Sequence, residues 1–117
     1  LKVIITNRAK GSLTSAILGA DAEFDNWASI ALEHRWNLQP DLLKVSHHGS
    51  RFGTYADVLV AIRPKFAVVS VGENPYEHPE EWVLALLDEA TSGQVFRTDE
   101  NGTCLFESDG VEWRYRD

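Results

Sequence analysis

The clearest strand in the sequence is KFAVVSVG, residues Lys65–Gly72. Its apolar residues follow one another almost without interruption, which is typical of a strand buried on both faces of a sheet. The segment before it, Thr54–Ile62, has apolar residues at helical spacing and begins with a threonine that can cap a helix. Pro64 ends this helix. The sequence therefore predicts a helix that leads into a central, buried strand.

Two further segments have helical spacing. Pro79 suits the first position of a helix, and the helix Pro79–Ala90 has an apolar stripe that includes Trp82 and is predicted to pack in the core. Upstream, Asp25 can cap a helix over Asn26–Trp36. Each of these helices lies between strand-like runs, so helices and strands alternate through the middle of the chain.

The remaining strand-like runs complete this alternation. They are Leu1–Thr6, Thr14–Gly19, Leu42–Ser46, Val95–Thr98, Thr103–Glu107 and Val111–Arg116. The first two are predicted to form a hairpin, and DENG and SDG turns join the last three into an antiparallel meander. The order β-β-α-β-α-β-α-β-β-β implies parallel crossovers, so the sequence predicts an α/β fold with a mixed sheet.

Composition limits the classes of protein that the chain can represent. The 117 residues suit one domain or part of a larger one, and they carry eleven Lys and Arg against eighteen Asp and Glu, a net charge of −7. Strong nonspecific binding to nucleic acid is not expected, although bound cations can make a phosphodiester acceptable to an acidic surface. Cys104 is the sole cysteine, predicted to be a small buried residue of a strand, so no disulfide forms within the chain. The chain has no run of eighteen apolar residues, and its N-terminus lacks the apolar core and cleavage site of a signal peptide. The negative charge and the lone cysteine are compatible with the cytoplasm.

Polar residues follow three of the predicted strands. Asp21 follows the second strand, the pair His47 and His48 follows the third, and His78 lies a few residues beyond KFAVVSVG. Parallel neighbouring strands end at the same edge of a sheet, so we expect these side chains to meet in one cleft. Imidazole and carboxylate are ligands for zinc, manganese and iron. Of the pair, His48 is favoured as the residue that points inward, because Gly49 lets the backbone turn.

Each of these residues also has a simpler interpretation. Asp21 can be a turn residue after a strand, the histidine pair can belong to a surface loop, and His78 can be an ordinary residue at a helix N-terminus. His34 has helical spacing from Trp27 and is interpreted as a core or rim residue outside the site.

Most of the chain, from about Ile17 to Phe106, resembles the second half of the metallo-β-lactamase domain of the ComEC family of DNA-uptake proteins. The resemblance depends on four segments: ILGADAE, LLKVSHHGS, IRPKFAVVSVGENPYEHPEEWVLALL and VFRTDENGTCLF. It implies the C-terminal half of an αβ/βα sandwich over residues 1–117, with the HxHxDH motif of the N-terminal half absent from this chain. It also implies metal ligands at Asp21, His48 and His78, catalytic roles for His47 and His48, and Asp99 at the rim of the site.

The implied function is metal-dependent hydrolysis, in which a divalent metal, zinc or manganese, activates water to cleave phosphodiester bonds. DNA taken up in competence is one candidate substrate of this kind. The ligand set is incomplete without HxHxDH, so this chain alone is expected to be inactive. The missing half of the fold, another chain or a second copy would complete it. ComEC-like domains are attached to membrane channels, so a membrane-attached parent protein is compatible with the sequence. The alternative is a noncatalytic module of the same fold that acts in binding or assembly.

Overall fold

A computed structural model describes residues 3–7, 14–23, 25–29, 40–53 and 56–116. The strands in this part of the chain are Val3–Asn7 (β1), Thr14–Leu18 (β2), Leu42–Lys44 (β3), Phe66–Val69 (β4), Gln94–Arg97 (β5), Leu105–Ser108 (β6) and Trp113–Arg116 (β7). The helices are the described part of a first helix at residues 25–29 (α1), then Ala56–Ile62 (α2), Glu81–Ala90 (α3) and Thr98–Asn101 (α4). Short 3-10 turns cover Ser46–Gly49 and Arg51–Gly53.

Strands β1 to β5 form one sheet in which spatial order follows chain order. β1 is antiparallel to β2, and the pairs β2–β3, β3–β4 and β4–β5 are parallel. The predicted N-terminal hairpin, the parallel crossovers and the mixed α/β architecture are therefore confirmed. The finer assignment to a metallo-β-lactamase-like fold stays a prediction.

The core lies between one face of this sheet and the helices. Its buried apolar members are Ile17, Ala22, Trp27, Leu43, Val45, Val58, Leu59, Ile62, Ala67, Val69, Val71, Val83, Leu87 and Ala90. In β4, Ala67 and Val69 are buried on this face, whereas Phe66 and Val68 on the opposite face are partly exposed. β4 lies inside the sheet as predicted, but the prediction that it is buried on both faces is wrong.

The second face of the sheet is partly covered by the hairpin of β6 and β7, which pair with each other in a separate antiparallel sheet. Aromatic rings join the two: the ring centroid of Phe96 lies 4.3 Å from that of Tyr115 and 5.2 Å from that of Phe106. At the other end, Thr14 Oγ1 and Ser108 Oγ are 3.2 Å apart. The predicted meander is therefore wrong for β5, which pairs with β4 and not with β6.

The helix α4 explains why β6 does not continue the sheet beside β5. The segment DENG was predicted to be a turn, but Thr98–Asn101 forms a short helix. The Thr98 hydroxyl accepts a hydrogen bond from Val71 N–H at 2.7 Å and donates one to Val71 O at 2.8 Å. Because Thr98 is held beside the end of β4, the chain leaves the sheet at the end of β5.

Two predicted helix starts are also wrong. Asp25 lies inside α1, where Trp27 N–H donates to Glu23 O at 3.0 Å and Glu23 N–H donates to the side chain of Asn26 at 3.1 Å. The N-terminal turn is therefore closed by Glu23 and Asn26, with no cap from Asp25.

The helix α3 begins at Glu81 and not at Pro79. Glu80 is extended because its N–H donates to Gly49 O at 3.3 Å and its carboxylate accepts from Arg51 N–H at 2.8 Å. Trp82 is 47% exposed, so its predicted place in the core is also wrong. The buried face of α3 starts one residue later, at Val83.

Cys104 lies in the connection before β6 and is partly exposed, so the predicted buried strand position is wrong. Several predictions fall outside the described residues: the caps and side chains of Thr54 and Tyr55, helix residues 30–36, and the position of His34. Within the part of the chain that the structure describes, no helix combines the length and apolarity needed to cross a bilayer.

Candidate functional site: a histidine-lined cleft

A cleft of about 530 Å³ opens beyond the carboxyl ends of the neighbouring parallel strands β3 and β4. Its lining residues are His47, His48, Ser50, Phe52, Val71, Gly72, Glu73, Asn74, Tyr76 and His78. All three histidines predicted from the sequence therefore line one space. They come from two loops, one after β3 and one after β4.

The histidine pair has an unusual backbone conformation. His47 has φ 50° and ψ 39°, and His48 has φ 54° and ψ 27°, so both residues are left-handed. This region is unfavourable for residues with a Cβ and persists only where neighbouring structure enforces it. Here His47 N–H donates to Ala20 O at 2.7 Å, and Ser50 N–H donates to His47 O at 2.9 Å.

A buried hydrogen-bond cluster fixes the same loop from behind. The Ser46 hydroxyl donates to Gly53 O at 2.6 Å. This bond joins the start of the first 3-10 turn of the histidine loop to the end of the second. The indole N–H of Trp27 lies 3.0 Å from both Ser46 Oγ and Gly53 O. Trp27, Ser46 and Gly53 are all buried, so α1 holds the histidine loop rigidly against the core.

Gly49 allows the two loops to meet. Its φ is +80°, and a Cβ built on it would lie 2.5 Å from Pro79 Cβ. The backbone of the histidine loop thus passes directly against the residue that follows His78.

The imidazole of His48 is oriented by the backbone just after β4, at Ser70. Its Nδ1 lies 2.6 Å from Ser70 O, and a carbonyl oxygen can only accept, so Nδ1 carries the proton. The side chain of His48 is exposed, and in the neutral ring its Nε2 is the acceptor that remains for a ligand.

The other two histidines have ring nitrogens without hydrogen bonds. Nδ1 of His47 and Nδ1 of His78 are both buried and have no hydrogen-bond partner, although His47 Nδ1 lies 3.4 Å from Glu23 Oε1. The ring centroids of the two histidines are 6.3 Å apart. Buried polar nitrogens are normally satisfied, so this pair is a place where a ligand atom would be favourable.

Asn74 organises the loop that carries His78, a role that the sequence did not reveal. Its side-chain amide donates to Gly72 O at 3.0 Å and to His78 O at 2.9 Å. Its Oδ1 accepts from Tyr76 N–H and from His78 N–H, each at 3.0 Å. The Asn-Pro dipeptide at Asn74 is the local sign of such a turn.

Asp21 does not line the cleft in this structure. It is exposed in a turn in which Ala22 N–H donates to Gly19 O at 3.0 Å. The turn is nevertheless adjacent to the site, because Ala20 O accepts from His47 N–H.

Asp99 lies with His78 on a wider depression of about 800 Å³ beside the cleft. The Arg97 guanidinium donates to Asp99 Oδ2 at 2.7 Å and to Oδ1 at 3.0 Å. This hydrogen bonding lowers the pKa of Asp99 below its usual 3.8. Asp99 is therefore an ionised residue near the rim, already paired with a cation.

The donors on the described residues do not by themselves form a metal site. Among those residues, no group of three or more His, Cys, Asp or Glu side chains is close enough to hold a metal ion. The ring nitrogens of His47, His48 and His78 that make no hydrogen bond fit part of such a site, and further ligands would have to come from elsewhere.

The chain is similar to bacterial competence proteins of the ComEC family. It is 41% identical over 81 residues to ComE operon protein 3 of Bacillus subtilis, which covers 68% of this chain and 9% of that protein. It is 34% identical to Recombination protein 2 of Haemophilus influenzae over 80% of this chain and 12% of that protein. It is 31% identical to Competence protein ComA of Neisseria gonorrhoeae over 77% of this chain and 13% of that protein.

The chain thus spans only 9% to 13% of the length of these curated relatives. No family model matches the chain, and no solved structure matches it.

Proposed function

We propose that this chain is a segment of a ComEC-type competence protein that acts in DNA uptake, and that its cleft is one part of a metal-dependent hydrolase centre for phosphodiester bonds. The observation that carries the proposal is the convergence of His47, His48 and His78 on one cleft beyond two neighbouring parallel strands. The similarity to competence proteins supports DNA as the substrate.

His48 has the environment expected of a metal ligand. Histidines that bind metals usually donate their second ring N–H to a carbonyl or carboxylate, which fixes the tautomer and the ring orientation. The contact between His48 Nδ1 and Ser70 O supplies this partner and leaves Nε2 for the metal. In this proposal His48 and His78 are ligands from the cleft, and Asp21 is a third ligand from the adjacent turn that would have to reorient, because it does not line the cleft in this structure.

His47 is proposed to act in proton transfer near the reacting phosphate. A general acid or base must keep a ring nitrogen available for the proton that it transfers, and Nδ1 of His47 makes no hydrogen bond, although it lies 3.4 Å from the Glu23 carboxylate. The anchored backbone of His47 would hold this nitrogen in a fixed position. A bound zinc or manganese ion would supply the activated water and positive charge near the phosphate.

The chain needs that positive charge. Its net charge is −7, and the described residues that line the cleft include no Lys or Arg. A phosphodiester would therefore bind only beside a cation. The remaining ligands are proposed to come from another segment of the same protein or from a partner chain.

A noncatalytic role in binding or assembly is the second candidate. It is favoured by the exposed position of Asp21 outside the cleft and by the lack of a three-donor group among the described residues. In this case the fold would be retained while the metal is not bound.

The test compares substitutions in the full-length protein that carries this chain. We expect Asp21→Ala and His78→Ala to reduce both bound metal, measured by mass spectrometry, and hydrolysis of bis(p-nitrophenyl) phosphate by more than about 10–100-fold, the loss typical of a supporting residue. Asp88→Ala removes another exposed carboxylate, on α3, and serves as the matched control. Wild-type metal content and rate in both the Asp21→Ala and the His78→Ala protein would contradict the assignment. Absence of metal-dependent hydrolysis in the wild-type protein would favour the noncatalytic role.

A further inference from the structure

Two large aromatic side chains are exposed at the mouth of the cleft. Phe52 is 51% exposed and Tyr76 is 75% exposed, yet both line the cleft. Both also line a shallower groove of about 290 Å³, together with Ser50, Arg51, His78 and Glu80. Because the two spaces share Ser50, Phe52, Tyr76 and His78, the groove continues into the histidine-lined cleft.

Polar contacts fix the positions of both aromatic residues. Tyr76 N–H donates to Asn74 Oδ1 at 3.0 Å, and the Tyr76 ring lies perpendicular to the His78 ring with centroids 5.7 Å apart. Phe52 N–H donates to Ser50 Oγ at 3.1 Å. The two residues are therefore held in place although their rings are largely exposed to solvent.

Phe52 and Tyr76 are both exposed on one groove. A single exposed apolar residue elsewhere on a surface is normal and needs no explanation. Trp82 is 47% exposed on α3, but it lines neither the cleft nor the groove. Phe52 and Tyr76, by contrast, share one groove beside groups that could act on a phosphodiester. Proteins that bind single-stranded nucleic acid stack unpaired bases on aromatic side chains that line a groove.

The charge at the groove supports stacking over phosphate binding as the main source of affinity. Arg51 is the one Lys or Arg among the described residues that line either space, and its guanidinium lies 4.9 Å from the centroid of the Phe52 ring. One cation can contact one phosphate next to a stacked base. It cannot support binding that depends on many phosphate contacts.

We infer that Phe52 and Tyr76 form a stacking site for an unpaired base of single-stranded DNA, with the adjoining phosphodiester directed toward His47, His48 and His78. The choice of DNA rests on the proposed function, whereas the stacking rests on the two rings and their groove. Bases in a duplex stack on each other and offer no free face, so single strands are preferred.

The test is a binding titration of the full-length protein with a fluorescent phosphorothioate oligothymidylate, which resists cleavage. Tyr76→Ala and Phe52→Ala should each weaken binding by about 5- to 150-fold, the range measured for loss of one base-stacking ring. Tyr76→Phe keeps the ring and should bind as the wild type does. Trp82→Ala, which removes an exposed ring elsewhere, is the matched control and should also bind normally.

Unchanged affinity in both the Tyr76→Ala and Phe52→Ala proteins would overturn the inference, and so would equal affinity for a duplex of the same length. Hydrolysis by the wild-type protein is measured separately with bis(p-nitrophenyl) phosphate, which has no base. Ring-dependent binding without that hydrolysis would refute the proposed hydrolase and leave the stacking site standing. Hydrolysis without ring-dependent binding would refute the stacking site and leave the proposed hydrolase standing.

Discussion

Replacing Asn74 by Ala should loosen the loop that holds His78 without unfolding the protein. The side chain makes four hydrogen bonds, to Gly72 O, His78 O, Tyr76 N–H and His78 N–H, at 2.9 to 3.0 Å. Each such bond contributes about 0.5–1.5 kcal/mol net. Gly72 and Tyr76 are exposed, so water can replace part of this bonding. We therefore expect the variant to lose about 1–3 kcal/mol in free energy of unfolding.

The assay combines urea denaturation with amide hydrogen exchange. Exchange at the amides of Tyr76 and His78 should accelerate in Asn74→Ala, because both lose their acceptor. Asn74→Asp keeps Oδ1 as an acceptor but loses the Nδ2 donor, so it should retain more protection at these two amides. Asn101→Ala, which removes the α4 side chain that accepts a hydrogen bond from Arg97 N–H, controls for loss of an exposed asparagine.

An Asn74→Ala protein with wild-type stability and wild-type exchange at Tyr76 and His78 would refute the role of Asn74 in holding the loop. Faster exchange throughout the sheet would also contradict this role. The four hydrogen bonds of Asn74 would then contribute to global stability and would not be a local feature of the loop.

Two further predictions concern the backbone at the cleft and the charge at its rim. Gly49→Ala should lose more unfolding free energy in denaturation than Gly72→Ala. Gly49 has φ +80°, a region that costs a residue with a Cβ about 1–2 kcal/mol, and a Cβ there would lie 2.5 Å from Pro79 Cβ, whereas Gly72 has no positive φ and a Cβ there would meet nothing within 4 Å. Equal losses in the two variants would contradict the close approach of the two loops. The hydrogen bond from Arg97 lowers the pKa of Asp99 below 3.8. The contribution of this pair to stability is therefore present above pH 3.8 and is lost as the pH falls through the pKa of Asp99 in the folded protein. An NMR titration of Asp99 should give a midpoint below 3.8 that rises in Arg97→Gln, and an unmoved midpoint would contradict the pairing.

The part of the fold that could be predicted follows from spacing and order along the chain. Apolar runs at Leu42–Lys44 and Phe66–Val69, separated by a segment of helical spacing, are sufficient to place β3 beside β4 in a parallel arrangement. That arrangement brings the loops after both strands to one edge. For this reason the positions of His47, His48 and His78 on one cleft could be anticipated, while their binding of metal stays a prediction.

The parts that could not be predicted depend on contacts between residues far apart in sequence. Pro79 was expected to begin α3, but Glu80 is held extended by Gly49 and Arg51, about thirty residues earlier. The left-handed backbone of the histidine pair likewise depends on Ala20 O. Trp82 fits a helical stripe by spacing alone, and only the packing of α3 decides that its ring is exposed. Local propensity carries no information about such partners.

The order of strands in the sheet has a consequence for how the chain assembles. Each of β2 to β5 pairs with the strand that precedes it in sequence, so a chain synthesised from its N-terminus can add every strand to an edge already present. The β6–β7 hairpin is different, since its contact between Thr14 and Ser108 joins residues 94 positions apart. Until the hairpin docks, Phe66 and Phe96 would face water on an open sheet, and a chain that stalls at that stage would be prone to self-association.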